Sequence, residues 1–292
     1  MVSWIIAFFR TDKAGYINHG SSDCLILNVL KMSRRLCLSL VGILSVLVAL
    51  SQTASIQPLV IGGSEADISD YPYQVSVRLE TYMLLHICGG SIYAPNVVLT
   101  AAHCIKGRYA SYIRIVAGKN SIADLEEMGV KVSKLIYHTG YNKKSHVNDI
   151  GMIITREPLA YSAQVQPIAL ALDSPVAGAH AVVSGWGKRT EEDTALPAML
   201  RAVHLNIVDR SVCGAQYLTK DYTITDEMLC AGSEDGGRDA CDGDSGGPLA
   251  VDGVLVGIVS WGVGCGREGF PGVYASVAHH SAWIEEQAEP YL

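Results

Sequence analysis

The stretch "CDGDSGGPLA", Cys241–Ala250, sets one serine among glycines and aspartates. Two further stretches accompany it, "LTAAHC" at Leu99–Cys104 and "NDIGMI" at Asn148–Ile153. Each alone has a structural explanation: packing for the histidine, a cap for the aspartate, a loop for the glycines. A serine hydroxyl becomes a nucleophile when a base removes its proton, and a histidine oriented by an aspartate is such a base. The three stretches in one chain therefore favour nucleophilic catalysis at Ser245.

The composition around these motifs is that of a packed globular protein. Of 292 residues, 49% are hydrophobic and 17% are charged, which argues against disorder. The 29 glycines and 10 prolines are spread along the chain between short alternating segments, a pattern typical of an all-β fold with many turns. The formal net charge of −7 gives no reason to expect nucleic-acid binding, and it mildly favours cationic substrates or partners.

Eight cysteines divide into two groups. Two lie near the start, at Cys24 and Cys37, and six lie downstream: Cys88, Cys104, Cys213, Cys230, Cys241 and Cys265. An even set predicts a disulfide framework if the protein is secreted. There is no CxxC pair, so a zinc site or a redox dithiol is not expected.

The segment "MSRRLCLSLVGILSVLVALSQTAS", residues 32–55, is typical of a signal peptide. Arg34 and Arg35 precede an apolar run at Leu36–Leu50, and small residues follow it. The alternative, a membrane anchor, needs about 20 apolar residues, more than this run supplies. Residues 1–31 show neither a period nor a motif, so we interpret them as a gene-model extension, with translation starting at Met32.

From Val60 to about Gln287 the chain resembles the chymotrypsin-like serine proteases of the trypsin type, in the three-disulfide form found in invertebrates. The resemblance implies two packed six-stranded antiparallel β-barrels with a short C-terminal helix. The tail "SVAHHSAWIEEQ" is the one segment with a helical pattern, and Val277, Trp283 and Ile284 are its expected docking residues. The implied activity is that of a secreted endopeptidase without a cofactor or a metal.

The resemblance assigns a role to each residue of the motifs. Ser245 would be the nucleophile, His103 the general base and acid, and Asp149 the group that orients His103. The backbone N–H groups of Gly243 and Ser245 would form the oxyanion hole. The implied disulfides are Cys88–Cys104, Cys213–Cys230 and Cys241–Cys265, one of the 15 pairings that six cysteines allow.

Asp239, six residues before Ser245, would form the floor of the primary specificity pocket and select Arg or Lys. Other matching substrate-binding positions are Ser260, Trp261, Gly262 and Gly272. The alternative for Asp239 is a surface turn, since Asp235 and Arg238 are close in sequence. Ala240 stands where common trypsins carry a serine. Losing that hydroxyl disfavours a Lys ammonium more than a bidentate Arg, so we expect Arg to be preferred over Lys.

Activation would follow a cut before "VIGG", Val60–Gly63, with the new amino group of Val60 pairing with Asp244. Residues 56–59 would then be a short propeptide, and residues 60–292 the protease domain. Leu59 stands before the cut where most relatives carry Arg or Lys. An enzyme with an acidic pocket is not expected to cut after leucine, so a different, leucine-tolerant protease is the expected activator.

The expected partners are protein or peptide substrates with Arg or Lys, the activating protease and protein protease inhibitors. Nucleic acid is not expected, and we expect a monomer. The main alternative is a catalytically inactive homologue that acts as a binding protein; such proteins usually lose one of the three catalytic residues, and all three are present here. A membrane-tethered protease that retains residues 36–50 is a third interpretation.

Overall fold

The computed structural model of the chain describes residues 61–124 and 128–292. The predicted extension, signal peptide and propeptide, and Val60 itself, lie outside the described residues. The strands are β1 Ser64–Glu65, β2 Gln74–Glu80, β3 Leu84–Ala94, β4 Val97–Thr100, β5 Ile113–Ala117, β6 Val130–Tyr137, β7 Gly151–Thr155, β8 Ala169–Leu170, β9 His180–Gly185, β10 Arg201–Val208, β11 Met228–Gly232, β12 Pro248–Val251, β13 Val254–Trp261 and β14 Gly272–Ser276.

These strands form two closed barrels of six strands each. The first barrel has the order β2-β3-β4-β7-β6-β5. The second has the order β10-β11-β14-β13-β12-β9 and closes because β9 also pairs with β10. All pairs within the barrels are antiparallel, while β1 extends the second barrel beside β10 and β8 runs parallel to β13. The predicted fold class is confirmed.

Strand β2 alternates between apolar and polar residues, but over most of its length both sets of side chains are buried. Val75 and Val77 point into the first barrel, as the period of two predicts. The polar residues between them, Gln74, Ser76 and Arg78, are also buried. Gln74 lies against the second barrel, where its Oε1 accepts a hydrogen bond of 2.7 Å from Ser184 Oγ in β9. The polar face of this strand is therefore buried, and at Gln74 it contacts the other barrel.

Three α-helices and two 3₁₀ turns complete the described chain. The helices are α1 Ala102–Ile105, α2 Arg210–Leu218 and α3 Val277–Ala288, and the turns are Ala110–Tyr112 and Glu289–Tyr291. Helix α3 is the predicted C-terminal helix, with Val277 and Ile284 fully buried. The expectation that the tail alone is helical was wrong, because α2 is well formed. Its cap is Asp209, whose carboxylate accepts from the backbone N–H groups of Ser211 and Val212.

The three disulfides are Cys88–Cys104, Cys213–Cys230 and Cys241–Cys265, the pairing that the resemblance implies. Cys88–Cys104 joins β3 to α1, the helix that carries His103. Among the described residues, no helix has the length and apolarity needed to cross a bilayer.

Candidate active site

The two barrels supply opposite sides of the candidate site. His103 lies in α1, directly after β4, and Asp149 precedes β7, so both belong to the first barrel. Ser245 precedes β12 of the second barrel. Contacts cross between the barrels at this point, because Gly89 N in β3 donates a hydrogen bond of 2.8 Å to Ser245 O. The fold therefore brings together three residues that span 142 positions of the sequence, from 103 to 245.

Asp149 is buried and holds His103 through two atoms. Its Oδ2 accepts from His103 Nδ1 at 2.7 Å, and its Oδ1 accepts from the backbone N of His103 at 2.9 Å. A carboxylate can only accept, so the proton resides on Nδ1. In the neutral imidazole, Nε2 then carries the free lone pair that a general base needs.

Ser260 provides a third donor to Asp149. Its hydroxyl donates to Asp149 Oδ2 at 2.6 Å, and both residues are buried. The sequence analysis placed Ser260 only among the substrate-binding positions, and nothing in its local sequence indicated this bond across 111 positions. Three donors on one buried carboxylate fix its orientation.

Ser245 lies close to the disulfide beside His103. Cys104 Sγ is 3.8 Å from His103 Nε2 and 3.6 Å from Ser245 O. Within the described residues, Ser245 Oγ makes no hydrogen bond to His103, which is common for catalytic pairs that tighten when substrate binds. Cys88, His103 and Cys104 are the one group there with metal-ligand atoms close together. Both sulfurs belong to the disulfide and are not thiolates, so the group does not fit a metal.

The predicted oxyanion hole has the backbone that it needs. Gly243 has a φ of 104°, a conformation that favours glycine, and an added Cβ would lie 2.8 Å from Leu196 Cδ2. Neither the N–H of Gly243 nor that of Ser245 donates a hydrogen bond to another described residue. Two free N–H groups beside the hydroxyl of Ser245 are suited to receive a developing negative charge.

The imidazole of His86 contacts the backbone oxygen of Gly243. The sequence analysis did not predict this contact. Its Nε2 lies 2.9 Å from Gly243 O and its Nδ1 lies 2.8 Å from Ser76 Oγ. A carbonyl oxygen only accepts, so Nε2 carries the proton and Nδ1 accepts from the hydroxyl of Ser76. Burial lowers the pKa of His86 to about 4, so this histidine is neutral at physiological pH.

Asp244 points away from the catalytic groups into a buried site. Its carboxylate accepts from Gly187 N at 2.7 Å and from Cys241 N at 3.0 Å, and burial raises its pKa to about 6. A Cβ at Gly185 or Gly187 would overlap this carboxylate. Val60, its predicted partner, lies outside the described residues. The next residue, Ile61, accepts a hydrogen bond of 3.2 Å from Asp239 N.

A cavity of about 420 Å³ opens beside Ser245, and all the predicted substrate-binding positions line it: Asp239, Ser260, Trp261, Gly262 and Gly272. Asp239 is only 3% exposed, which excludes the surface-turn alternative. Its carboxylate accepts from Ala240 N at 2.8 Å and from Gly266 N at 2.9 Å. Burial nevertheless raises its pKa to about 7. A Cβ at Gly272 would lie 2.5 Å from Asp239 Oδ1, so glycine keeps the floor open.

The rim of the cavity carries an ion pair that the sequence analysis missed. Glu191 accepts from Arg267 through two bonds of 2.8 and 2.7 Å, and from Cys265 N at 2.7 Å. These hydrogen bonds lower the pKa of Glu191 to about 2. The next backbone N–H, that of Gly266, donates to Asp239. One turn therefore connects the rim pair to the floor of the cavity.

Aromatic rings pack around Trp261, which lines the cavity. His146 stacks on Trp261 with ring centroids 4.8 Å apart and planes 15° apart. Tyr217 and Tyr222 pack against the same indole at 5.0 and 5.1 Å. Trp261 is thus held from several sides beside the strand edge at Ser260 and Gly262.

Comparison with known proteins shows the family to which the chain belongs. The trypsin family model matches residues 60–284. Trypsin beta of Drosophila erecta is 42% identical over 229 residues, which cover 78% of this chain and 88% of that protein. Trypsin alpha of Drosophila melanogaster is 41% identical over 78% of this chain and 87% of its own length. Hypodermin-B of Hypoderma lineatum is 43% identical over 80% of this chain and 88% of its own. The chain therefore belongs to the trypsin family and is a trypsin-like serine endopeptidase.

Proposed function

We propose that this endopeptidase hydrolyses peptide bonds after Arg, and less readily after Lys, through Ser245, His103 and Asp149. The observation that carries the proposal is the combination of a buried Asp149 bonded to His103 with a cavity that ends at the buried Asp239. The structure gives no support to the alternative of an inactive binding protein. Asp149 is hydrogen-bonded to His103, and the N–H groups of Gly243 and Ser245 make no hydrogen bond to another described residue.

The chemistry follows from the positions of these groups. Ser245 Oγ attacks the carbonyl carbon of the substrate while its proton passes to His103 Nε2. The carbonyl oxygen becomes an oxyanion that the N–H groups of Gly243 and Ser245 bind. His103 then gives the proton to the leaving amine, and the C–N bond breaks to leave an acyl-enzyme. A water molecule then attacks the ester carbon of the acyl-enzyme while His103 takes its proton. The ester bond breaks, which releases the carboxylic acid product and restores Ser245. Asp149 stabilises the imidazolium in both halves.

Specificity follows from the charge of the cavity floor. A buried carboxylate with a raised pKa is costly to ionise alone, and a cationic side chain that enters the cavity offsets this cost. Ala240 lines the cavity without a hydroxyl that could bind an ammonium. A guanidinium reaches a carboxylate with two parallel bonds, which favours Arg over Lys.

Activation is proposed to follow cleavage between Leu59 and Val60. The buried Asp244, with a pKa raised to about 6, is suited to pair with a new amino terminus. Glycines at 185 and 187 leave room around its carboxylate. Because Asp239 selects cationic side chains, the enzyme does not cut after Leu59, and a leucine-tolerant protease performs this step.

Secretion is proposed from residues 32–55 and from the three disulfides, which persist in oxidising compartments. The proposed partners are Arg- or Lys-containing protein substrates, the activating protease and protein inhibitors of serine proteases. The enzyme is proposed to act as a monomer.

Matched amide substrates test the proposed activity. The chain beginning at Val60 is assayed with peptides that differ only in Arg, Lys or Leu before the scissile bond. We expect kcat/KM to be highest for Arg, lower for Lys and negligible for Leu. S245A is expected to abolish turnover of all three, and D239N to abolish the preference for cations while leaving the serine reactive. Turnover equal for Arg and Lys would contradict the role of Ala240, and no turnover at all would favour the binding protein.

The activation step is tested on the secreted zymogen. Treatment with chymotrypsin is expected to generate Val60 as the N-terminus and activity on the Arg substrate, whereas treatment with trypsin is not. Activity after trypsin alone, with an N-terminus other than Val60, would refute the proposed cut.

A further inference from the structure

Asn148, directly before Asp149, holds an unusual backbone conformation. Its φ is 54°, in the left-handed region that asparagine tolerates better than most residues. Ile150 N donates to Asn148 O at 2.9 Å, which closes a three-residue turn with Asp149 at its centre. The direction of the Asp149 side chain therefore depends on how this turn is held.

The second barrel holds the turn through one buried carboxylate. Glu227 is 6% exposed and precedes β11. Its Oε2 accepts from Asn148 N at 2.6 Å, and its Oε1 accepts from Thr225 Oγ1 at 2.9 Å. The backbone oxygen of Glu227 accepts from Ser276 N at 2.8 Å, which fixes the residue to the end of β14.

His280 of α3 closes the network from the other side. Its Nδ1 lies 2.7 Å from Ser276 O, and its Nε2 lies 3.3 Å from Asn148 Oδ1 and 3.8 Å from Glu227 Oε2. The side chain of Asn148 also donates to Gly140 O at 3.4 Å. Because Ser276 O can only accept, the proton of the neutral His280 lies on Nδ1, and Nε2 does not donate to Asn148 Oδ1. The backbone N–H of Asn148 has Glu227, directly before β11, as its acceptor.

We propose that Glu227 is a positioning residue for Asp149: by accepting the Asn148 N–H, it fixes the turn that aims the Asp149 carboxylate at His103. The inference rests on the proposed function, in which Asp149 orients the base. The Asn148 N–H would be a buried donor without an acceptor if Glu227 were removed, and the turn would relax to supply one. A small rotation at Asp149 would lengthen two bonds to His103 at once.

Substitution of Glu227 tests this role. E227M fills a similar volume but cannot accept, whereas E227Q accepts as a neutral group. T225V is the matched control, because it removes the other bond to the same carboxylate and leaves Asn148 untouched. Turnover is measured per active site, titrated with a serine-directed ester. We expect kcat to fall about 10- to 100-fold in E227M at nearly constant KM, because a misplacement of about 1 Å has such an effect.

E227Q is expected to recover most of this loss and to remain about threefold below the wild type, because a neutral hydrogen bond is weaker than a charged one. T225V is expected to stay within twofold of the wild type. The acid limb of the pH profile of kcat/KM is expected to move to lower pH in E227M, because a displaced Asp149 stabilises the His103 cation less.

Two results would overturn the inference. One is a kcat per titrated site in E227M within twofold of the wild type, with only a lower melting temperature, which would show a purely structural role. If E227M does not fold, E227Q decides: wild-type kcat and an unchanged pH profile would count against positioning by Glu227. A wild-type enzyme that neither reacts with the titrant nor turns over substrate would defeat the proposed function itself.

Discussion

The substitution D239N should change the stability of the protein in a pH-dependent way. The free energy of unfolding of D239N, taken relative to that of its parent, should increase as pH rises. Folding raises the pKa of this carboxyl from 3.8 to about 7 because it is buried, so its ionisation opposes folding. The cost is absent below the unfolded pKa, grows as pH rises and is complete above about pH 7. Asparagine has the same shape and never ionises, so D239N removes the cost.

The magnitude follows from the two pKa values. Each pKa unit corresponds to about 1.4 kcal/mol, so the raised pKa of Asp239 lowers the free energy of unfolding by about 4 kcal/mol at pH 8 and about 2 kcal/mol at pH 5. The amide group leaves one of the N–H groups of Ala240 and Gly266 without an acceptor, which costs about 1–3 kcal/mol at either pH. The free energy of unfolding of D239N minus that of its parent should therefore increase by about 2–3 kcal/mol between pH 5 and pH 8.

The assay is guanidinium unfolding of both proteins at pH 5 and pH 8, in chains that begin at Val60 and carry S245A to prevent self-digestion. D235N, an exposed aspartate four residues away, controls for the change in net charge. Either of two results would refute the argument that Asp239 is costly to ionise in the folded protein. One is the same difference in free energy of unfolding at both pH values, and the other is a difference that becomes less favourable to D239N as pH rises.

Four further substitutions test three other parts of the structure. S260A removes a charged hydrogen bond from Asp149 and should lower kcat about 10- to 100-fold at unchanged KM for an Arg amide; a loss below twofold would contradict this role. E191Q and R267Q should each weaken p-aminobenzamidine binding about two- to fivefold, measured by fluorescence, and the double variant should be no weaker than either, because both remove one pair; additive losses would argue against coupling. D209A should lower the free energy of unfolding by about 1 kcal/mol through loss of the α2 cap while kcat/KM stays constant; an unchanged stability would show that the cap is dispensable.

The sequence predicted those features that depend on short motifs. The segments around His103, Asp149 and Ser245 are local patterns, and the resemblance that they establish implied both barrels and all three disulfides. The resemblance placed Asp239 at the floor of the primary pocket, and the cavity contains it together with Gly262 and Gly272.

The features that the sequence did not predict depend on contacts between distant segments. The alternation of Val75 and Val77 with polar residues is typical of a strand, but the burial of Gln74 depends on Ser184 of the other barrel. Helix α2 has a clear cap at Asp209, a signal that was present and overlooked. The bond from Ser260 to Asp149 and that from Glu227 to Asn148 span 111 and 79 positions, and neither has a local pattern.

The central claim is that Ser245 is an activated nucleophile beside a pocket for cations. The most direct test is to treat the chain beginning at Val60 with a fluorophosphonate, with and without benzamidine, and to locate the adduct by mass spectrometry. We predict one adduct per chain, on Ser245, and slower labelling in the presence of benzamidine. Absence of an adduct, an adduct on another residue, or labelling that benzamidine does not slow would contradict the account.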